Sequence, residues 1–215
     1  MTILVLTPEG GPFVPGSIAD PATHPGGTTT YPPGAADLSG QLGPSGSLGP
    51  ATCRAIAAAP GGGLAVTTIG YLSRAQHDLA RATGRTVVSS PLLAVPMLLA
   101  MLPPGRRILV VYAHLGLASA DDIPGVPPER ADDVIRVGLE GDGAFRRAVL
   151  DRSEDFDHAA VAAQIIAMLN VPDLGAVVLE CGEMAAVAGR VRAATDVPVV
   201  DYRVLVDCFA AALGY

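Results

Sequence analysis

Apolar residues in this chain gather in short continuous runs bounded by Gly, Pro, Ser and Thr, at residues 3–6, 64–68, 86–88, 108–111, 177–180 and 198–200. Runs of this length without alternation predict strands covered on both faces. Residues 134–138 predict a further strand. The intervening segments carry helical spacing: 50–59 with Pro in its first turn, 71–83 with Gly84 as its stop, 92–101, 143–150, 158–169 with Asp157 as N-cap, 185–194 and 205–213. Strands alternating with helices predict an α/β chain with a mostly parallel sheet in each half.

The two halves repeat each other. Displacing the chain by 112 lays Val66-Thr67-Thr68-Ile69-Gly70-Tyr71-Leu72 on Val178 to Met184 without a gap. It also lays Ala82-Thr83 on Ala194-Thr195, Val87-Val88 on Val199-Val200 and Leu93 on Leu205. A displacement of 105 superposes Ile3-Leu4-Val5 on Ile108-Leu109-Val110, identical at each position. A duplicated α/β unit predicts two pseudo-symmetric lobes whose equivalent strand ends meet at a cleft, where ligands of open α/β sheets bind. The expected division is 1–105 for the first lobe, 106–200 for the second, and 201–215 for a terminal helix packing back across both. In that cleft Ile69 is expected to stand opposite Cys181.

Cys181 ends a strand and precedes a helix, a setting that favours a thiolate. Cys53 and Cys208 lie within predicted helices and are expected to be packing residues. Three cysteines without CxxC spacing suggest neither a disulfide framework nor a zinc site. Residues 10–49 are dominated by Gly, Pro, Ser and Thr and read either as partly disordered or as an ordered flap with turns at Pro15-Gly16, Pro25-Gly26 and Pro33-Gly34. A formal net charge of −7 argues against a nucleic-acid surface. The N-terminal residues lack a basic leader, and the longest apolar stretch is broken by Pro96, so a cytoplasmic protein without a membrane span is expected.

Four segments give the chain a family likeness. Residues Pro15 to Thr23 resemble a PGDIGNPAT segment, Thr67 to Leu72 a TSCGFL segment, Ser89 to Leu93 a TSSLL segment, and Leu179-Glu180-Cys181-Gly182-Glu183-Met184 an LECTNM segment. In this order they resemble the aspartate/glutamate/hydantoin racemase superfamily, particularly its less characterised branch. The resemblance implies two pseudo-symmetric α/β lobes, no cofactor, and two cysteines facing each other across the substrate Cα. Backbone amides and hydroxyls beside the cysteines would hold the carboxylate. The chain departs from the pattern where Ile69 replaces the first cysteine, Gly182-Glu183 replaces Thr-Asn, and Ser17 and Asp20 replace the flap's Asp and Asn.

Isoleucine carries no proton, so two-thiol racemisation should not survive. Removing an acid or base costs roughly 10²–10⁴-fold in that proton transfer. Thr68, Tyr71, Ser89, Ser90, Tyr112 or His114 could substitute, although Ser and Thr are poor acids and histidine is the residue type among these suited to proton transfer near neutrality. One thiol suffices for protonating an enediolate after loss of CO₂, for shifting a proton in a tautomerisation, or for nucleophilic attack. The expected function is therefore a cofactor-independent racemase-like enzyme, decarboxylase- or isomerase-type, acting beside a carboxyl or carbonyl group of a small, partly apolar acid. The alternatives are an amino-acid racemase with a non-cysteine second acid/base, and an inactive small-molecule-binding or partner protein. Cys181 is the expected catalytic residue, with no metal. Thr7, Pro8, Thr67, Thr68, Ile69, Gly70, Tyr71, Ser89, Ser90, Tyr112, His114, Gly182 and Glu183 are expected to line the substrate. Glu180 and Glu183 flank Cys181; Glu183 reads either as a general base or as an acid favoured at a helix start, and an acid there would raise the thiol's pKa by like-charge repulsion, opposing the helix effect. Expected partners are a small carboxylic or carbonyl substrate and, as an allowed assembly, further copies of the chain; nucleic acid and membrane are not.

Overall fold

A computed structural model describes residues 3–7, 14–23, 48, 50–59 and 62–214. Strands β1 (Ile3–Leu6), β2 (Leu64–Thr67) and β3 (Thr86–Val88) form one parallel sheet in the order β1-β2-β3. Strands β4 (Arg107–Tyr112), β5 (Val134–Gly138), β6 (Leu174–Leu179) and β7 (Val199–Val200) form a second in the order β5-β4-β6-β7. All pairings are parallel. Except in β5 the inner strand residues are buried, as continuous apolar runs require when both faces are covered.

The strand registers repeat between the sheets. Ile3 pairs with Leu64 and Val5 with Val66; their counterparts Ile108 and Val110 pair with Ala176 and Val178. Ala65 pairs with Val87 and Val66 with Val88, as Val177 pairs with Val199 and Val178 with Val200. The strands β1-β2-β3 thus correspond to β4-β6-β7, with β5 added at an edge. A one-residue slip would turn each core set to the other face, so shared register is a stringent form of repetition.

Each sheet is covered by helices on both faces, and one cover is exchanged. Helices α1 (Pro50–Ala57) and α2 (Gln76–Thr83) contribute Ile56 and Leu79 against Leu4, Leu6, Ala65 and Val87. Helices α4 (His158–Ile166) and α5 (Ala188–Arg192) contribute Val161, Ile165 and Val191 against Leu109, Val111, Val177 and Leu179. Helix α3 (Val95–Met101), which follows the first sheet, packs Val95, Leu98 and Leu99 on Ile108, Val110, Ala176 and Val178 of the second. Helix α6 (Tyr202–Ala212), which follows the second sheet, packs Tyr202 and Val206 on Ile3, Val5, Leu64 and Val66 of the first. Side-chain caps start both segments, one position apart in the repeat. The Ser90 side chain accepts from Leu92 N, and the Asp201 side chain accepts from Val204 N.

Several helices differ from expectation. The segments at 70–75, 91–94 and 182–186 are 3₁₀ turns, so α2 and α3 start later than the sequence suggests, and Cys181 precedes a 3₁₀ turn. Residues Arg146–Leu150 are wound as a π-helix, with Asp151 N donating to Arg146 O. Helix α6 begins at Tyr202, three residues early, because the Asp201 cap was not recognised. Cys208 is exposed, not core: α6 turns Tyr202 and Val206 inward, and Cys208 falls on the outer side. Cys53 packs beside the first-lobe core as expected. Of the expected flap, residues 14–23 and 48 are described. There Pro15-Gly16 forms the expected turn, with Ser17 N donating to Val14 O and Gly16 at φ +83°, a left-handed value that suits glycine. The turns at Pro25-Gly26 and Pro33-Gly34 lie outside the described residues. No helix among the described residues is long and apolar enough to cross a membrane.

Candidate active site

The C-terminal ends of β2 and β6 carry Thr68-Ile69-Gly70 and Glu180-Cys181-Gly182, equivalent triplets in the repeat. Each turn is tied to its neighbouring strand alike: Thr68 N donates to Leu6 O at 3.1 Å and Glu180 N to Val111 O at 3.0 Å. The two turns also touch each other reciprocally. Gly182 N donates to Thr68 O at 3.0 Å, and a Cβ built on Gly182 would lie 3.0 Å from that oxygen. A Cβ on Gly70 would lie 2.4 Å from the Glu180 carbonyl oxygen and closer still to its carboxyl group. Glycine at 70 meets residue 180 as glycine at 182 meets residue 68, the self-complementary contact of a two-fold pair. Both glycines are required because the backbones approach too closely for a side chain.

Cys181 is 7% exposed, and its thiol donates to Glu183 Oε2 at 2.8 Å. Glu183 is itself buried at 8% exposure. Burial pushes the Cys181 thiol well above its ordinary value, and the Glu183 and Glu180 charges push it the same way. The helix-start preference for a thiolate is therefore outweighed. A single 3₁₀ turn supplies little dipole, and desolvation beside two carboxyl groups dominates. Burial also raises the Glu183 carboxyl, with the thiol hydrogen bond opposing. Glu180 is 2% exposed, and burial raises its carboxyl to about 7 against amide donation from Ala113.

Around this pair the expected site residues separate into groups. The Thr68 hydroxyl donates to Thr7 Oγ1 at 3.1 Å, joining the ends of β1 and β2. Thr67 donates to Ser89 O at 2.6 Å, as Tyr202 does at 2.8 Å, so Thr67 and Ser89 serve a buried brace beneath the turns. Ser90 is spent on its cap. Ile69 is half-buried and packs against the first-lobe core, while Cys181 belongs to the second-lobe core. Tyr71 is half-buried with the Arg74 guanidinium 5.9 Å from its ring centre. Tyr112 is buried against the α3 side of the second sheet, and its hydroxyl has no partner among the described residues, nor does His114 Nδ1. Pro8 lies outside the described residues.

Residues outside the expected lining also contribute, and of these Ile18 and His158 were not singled out from sequence. Ile18 N donates to Gly182 O at 3.2 Å, with its Cγ2 2.7 Å from where a Gly182 Cβ would be. His158 Nε2 meets Pro15 O at 2.9 Å, so residues 15–18 of the first lobe are seated on the second beside Cys181. The adjacent Ser17 hydroxyl is buried without a partner among the described residues. Asp20 stabilises this loop, accepting from Gly16 N at 2.8 Å and Ala22 N at 2.9 Å. Only the Pro-Gly turn hints at this seating. The His158 contact spans both lobes and has no local signature. Among the described residues no group of His, Cys, Asp and Glu could hold a metal ion.

No protein-family model matches the chain, and no curated protein matches it significantly. Solved structures do. The crystal structure of allantoin racemase from Pseudomonas fluorescens aligns with a TM-score of 0.56 at 18% identity, covering 99% of this chain and 90% of that one. A candidate Asp/Glu racemase from Yersinia pestis aligns with a TM-score of 0.47 at 12% identity, covering 94% of each chain. The chain shares its fold with allantoin racemase.

Proposed function

We propose that this chain is an isomerase- or decarboxylase-type enzyme that moves a proton on one face of a carbon beside a carboxyl or carbonyl group, with Cys181 as the proton carrier and Glu183 as its partner. The observation that carries this reading is the buried 2.8 Å contact from the Cys181 thiol to Glu183 Oε2. A thiol whose pKa is held high is a poor free nucleophile. Paired with a carboxyl group of raised pKa, it can still relay a proton. When sulfur takes the proton from the substrate carbon, its own proton passes to the Glu183 carboxylate. In reverse, sulfur protonates the carbanion or enediolate and Glu183 restores the thiol. The negative charge then resides on a carboxylate or on the substrate, never on an isolated thiolate. Ile69 offers no proton from the first lobe's equivalent turn, so exchange keeps configuration, and its side chain favours a substrate with an apolar substituent.

The same chemistry serves tautomerisation, and it serves decarboxylation, in which the substrate's own C–C bond supplies the electron pair that sulfur's proton quenches. A second reading, racemisation with a non-cysteine second acid, draws support from the fold shared with allantoin racemase. Incubation in D₂O with amino acids, malonates and unsaturated acids, followed by NMR, separates them. Deuterium entering with retention, or with CO₂ release, in a Cys181-dependent manner is the expected result. Inversion would favour the racemase, and tight binding of an acid without exchange would favour a pocket without catalysis.

A further inference from the structure

Glu180 lies between the lobes, and its carboxyl group joins three strand ends. It fills the space above Gly70, where a Cβ would come within 2.3 Å of Oε1. Its Oε2 accepts from Ala113 N, at the end of β4, at 3.2 Å. The backbone N–H of Tyr71, in the turn that follows Ile69, faces the same carboxyl group and favours its charged form. The counterpart of Glu180 in the repeat is Thr68, whose short side chain stays within its own lobe on Thr7. The bridge is therefore one-sided, and it starts from the residue next to Cys181.

We propose that Glu180 is a positioning residue: by accepting the N–H of Ala113 and lying against Gly70 where it faces the N–H of Tyr71, its carboxylate holds the Ile69 turn of the first lobe in fixed register against the turn bearing Cys181. Both partners are donors, so the fit is to an ionised carboxylate. A protonated carboxyl would set an O–H against an N–H, and one contact would be lost. Burial opposes ionisation and raises the group to about 7, which puts the exchange of forms near neutrality. The titratable and charged groups that face it among the described residues are Asp122, paired with Arg74 at 2.7 Å, together with Glu183, Cys181, Tyr112 and Tyr202. The proposal rests on the reading of Cys181 as the reacting group, since only then does register between the two turns set the geometry of a site.

The test needs no substrate, so it can fail independently of that reading. In ¹⁵N-labelled protein the Tyr71 and Ala113 amide resonances should titrate together between pH 5 and 9 with a midpoint near 7, and the titration should vanish in Glu180→Gln. Loosened turns and the loss of the Glu180 charge should together let Cys181 react with iodoacetamide on the order of tenfold faster in Glu180→Gln, with Cys53 and Cys208 unchanged by peptide mass spectrometry, and Glu180→Asp, which keeps the charge, should show the part due to loosening. Glu180→Asp retains a carboxylate and should preserve a titration of at least one of the two amides, which guards against a glutamine variant that fails to fold. Amides that do not titrate in the parent protein, or that titrate equally in Glu180→Gln, would overturn the proposal. So would an unchanged Cys181 alkylation rate in a folded variant.

Discussion

Glu180 makes the dependence of folding on pH calculable. Its carboxyl is 2% exposed, and burial raises it from 4.5 to about 7. As pH rises from 4.5, the unfolded chain loses this proton first while the folded chain retains it. The folded state then binds more protons, so stability falls with rising pH, and the fall ends once the folded carboxyl has also ionised above about 7. At about 1.4 kcal/mol for each unit of displacement, the whole contribution amounts to about 3 kcal/mol. Glu180→Gln cannot titrate. Urea unfolding of both proteins at constant ionic strength, from pH 4.5 to 8, isolates the group, because Glu183 contributes with the same sign to each and cancels in the difference. The parent should lose about 3 kcal/mol relative to the variant across this range, with most of the loss between pH 5 and 7. Parallel stability curves, or a parent that gains on the variant as pH rises, would refute the assignment of a buried, high-pKa carboxyl between the lobes.

Other substitutions probe neighbouring parts of the site. Gly70→Ala sets a Cβ against the Glu180 backbone oxygen at 2.4 Å, whereas Gly182→Ala meets Ile18 Cγ2 at 2.7 Å and Thr68 O at 3.0 Å. Calorimetry should show Gly182→Ala destabilised by about 1–3 kcal/mol and Gly70→Ala by more, since the nearest obstruction there includes backbone. Glu183→Gln removes a charge beside the thiol. Cys181 alkylation should therefore accelerate, while proton exchange with an active substrate should slow by about 10²–10⁴-fold, the usual loss of an acid–base partner. Tyr202→Phe deletes donation to Ser89 O, which Thr67 still supplies. A chemical-denaturation midpoint should register a loss of about 1 kcal/mol, with no pH dependence.

The strand pattern was readable because continuous apolar runs encode burial on both faces, and the repeat was readable because equivalent register constrains equivalent positions. Val66 and Val178 occupy matching places in their sheets as the displacement by 112 requires. The position of Cys181 at a strand end was also legible. Its protonation was not, because the thiol's desolvation and the approach of Glu180 and Glu183 depend on tertiary burial. Helix beginnings were blurred where 3₁₀ turns precede α2 and α3, since both windings use similar spacing over a single turn. The packing of α3 on the second sheet has no local signature, and the outward side of Cys208 follows from the face that α6 turns to the first sheet. The reciprocal glycines were present in the sequence, but their purpose becomes visible only where the two turns cross.

In the proposed reaction, proton transfer occurs on one face and passes through sulfur. This route is tested most directly by following deuterium entry at the substrate α-carbon in D₂O, with parent protein and Cys181→Ala side by side, using whichever acid of the panel shows turnover. Stereospecific incorporation with retention, or stereospecific protonation after CO₂ loss, is expected, with a drop on the order of 10²-fold or more in Cys181→Ala. Incorporation with inversion at a comparable rate, or exchange that persists undiminished without the thiol, would contradict this route.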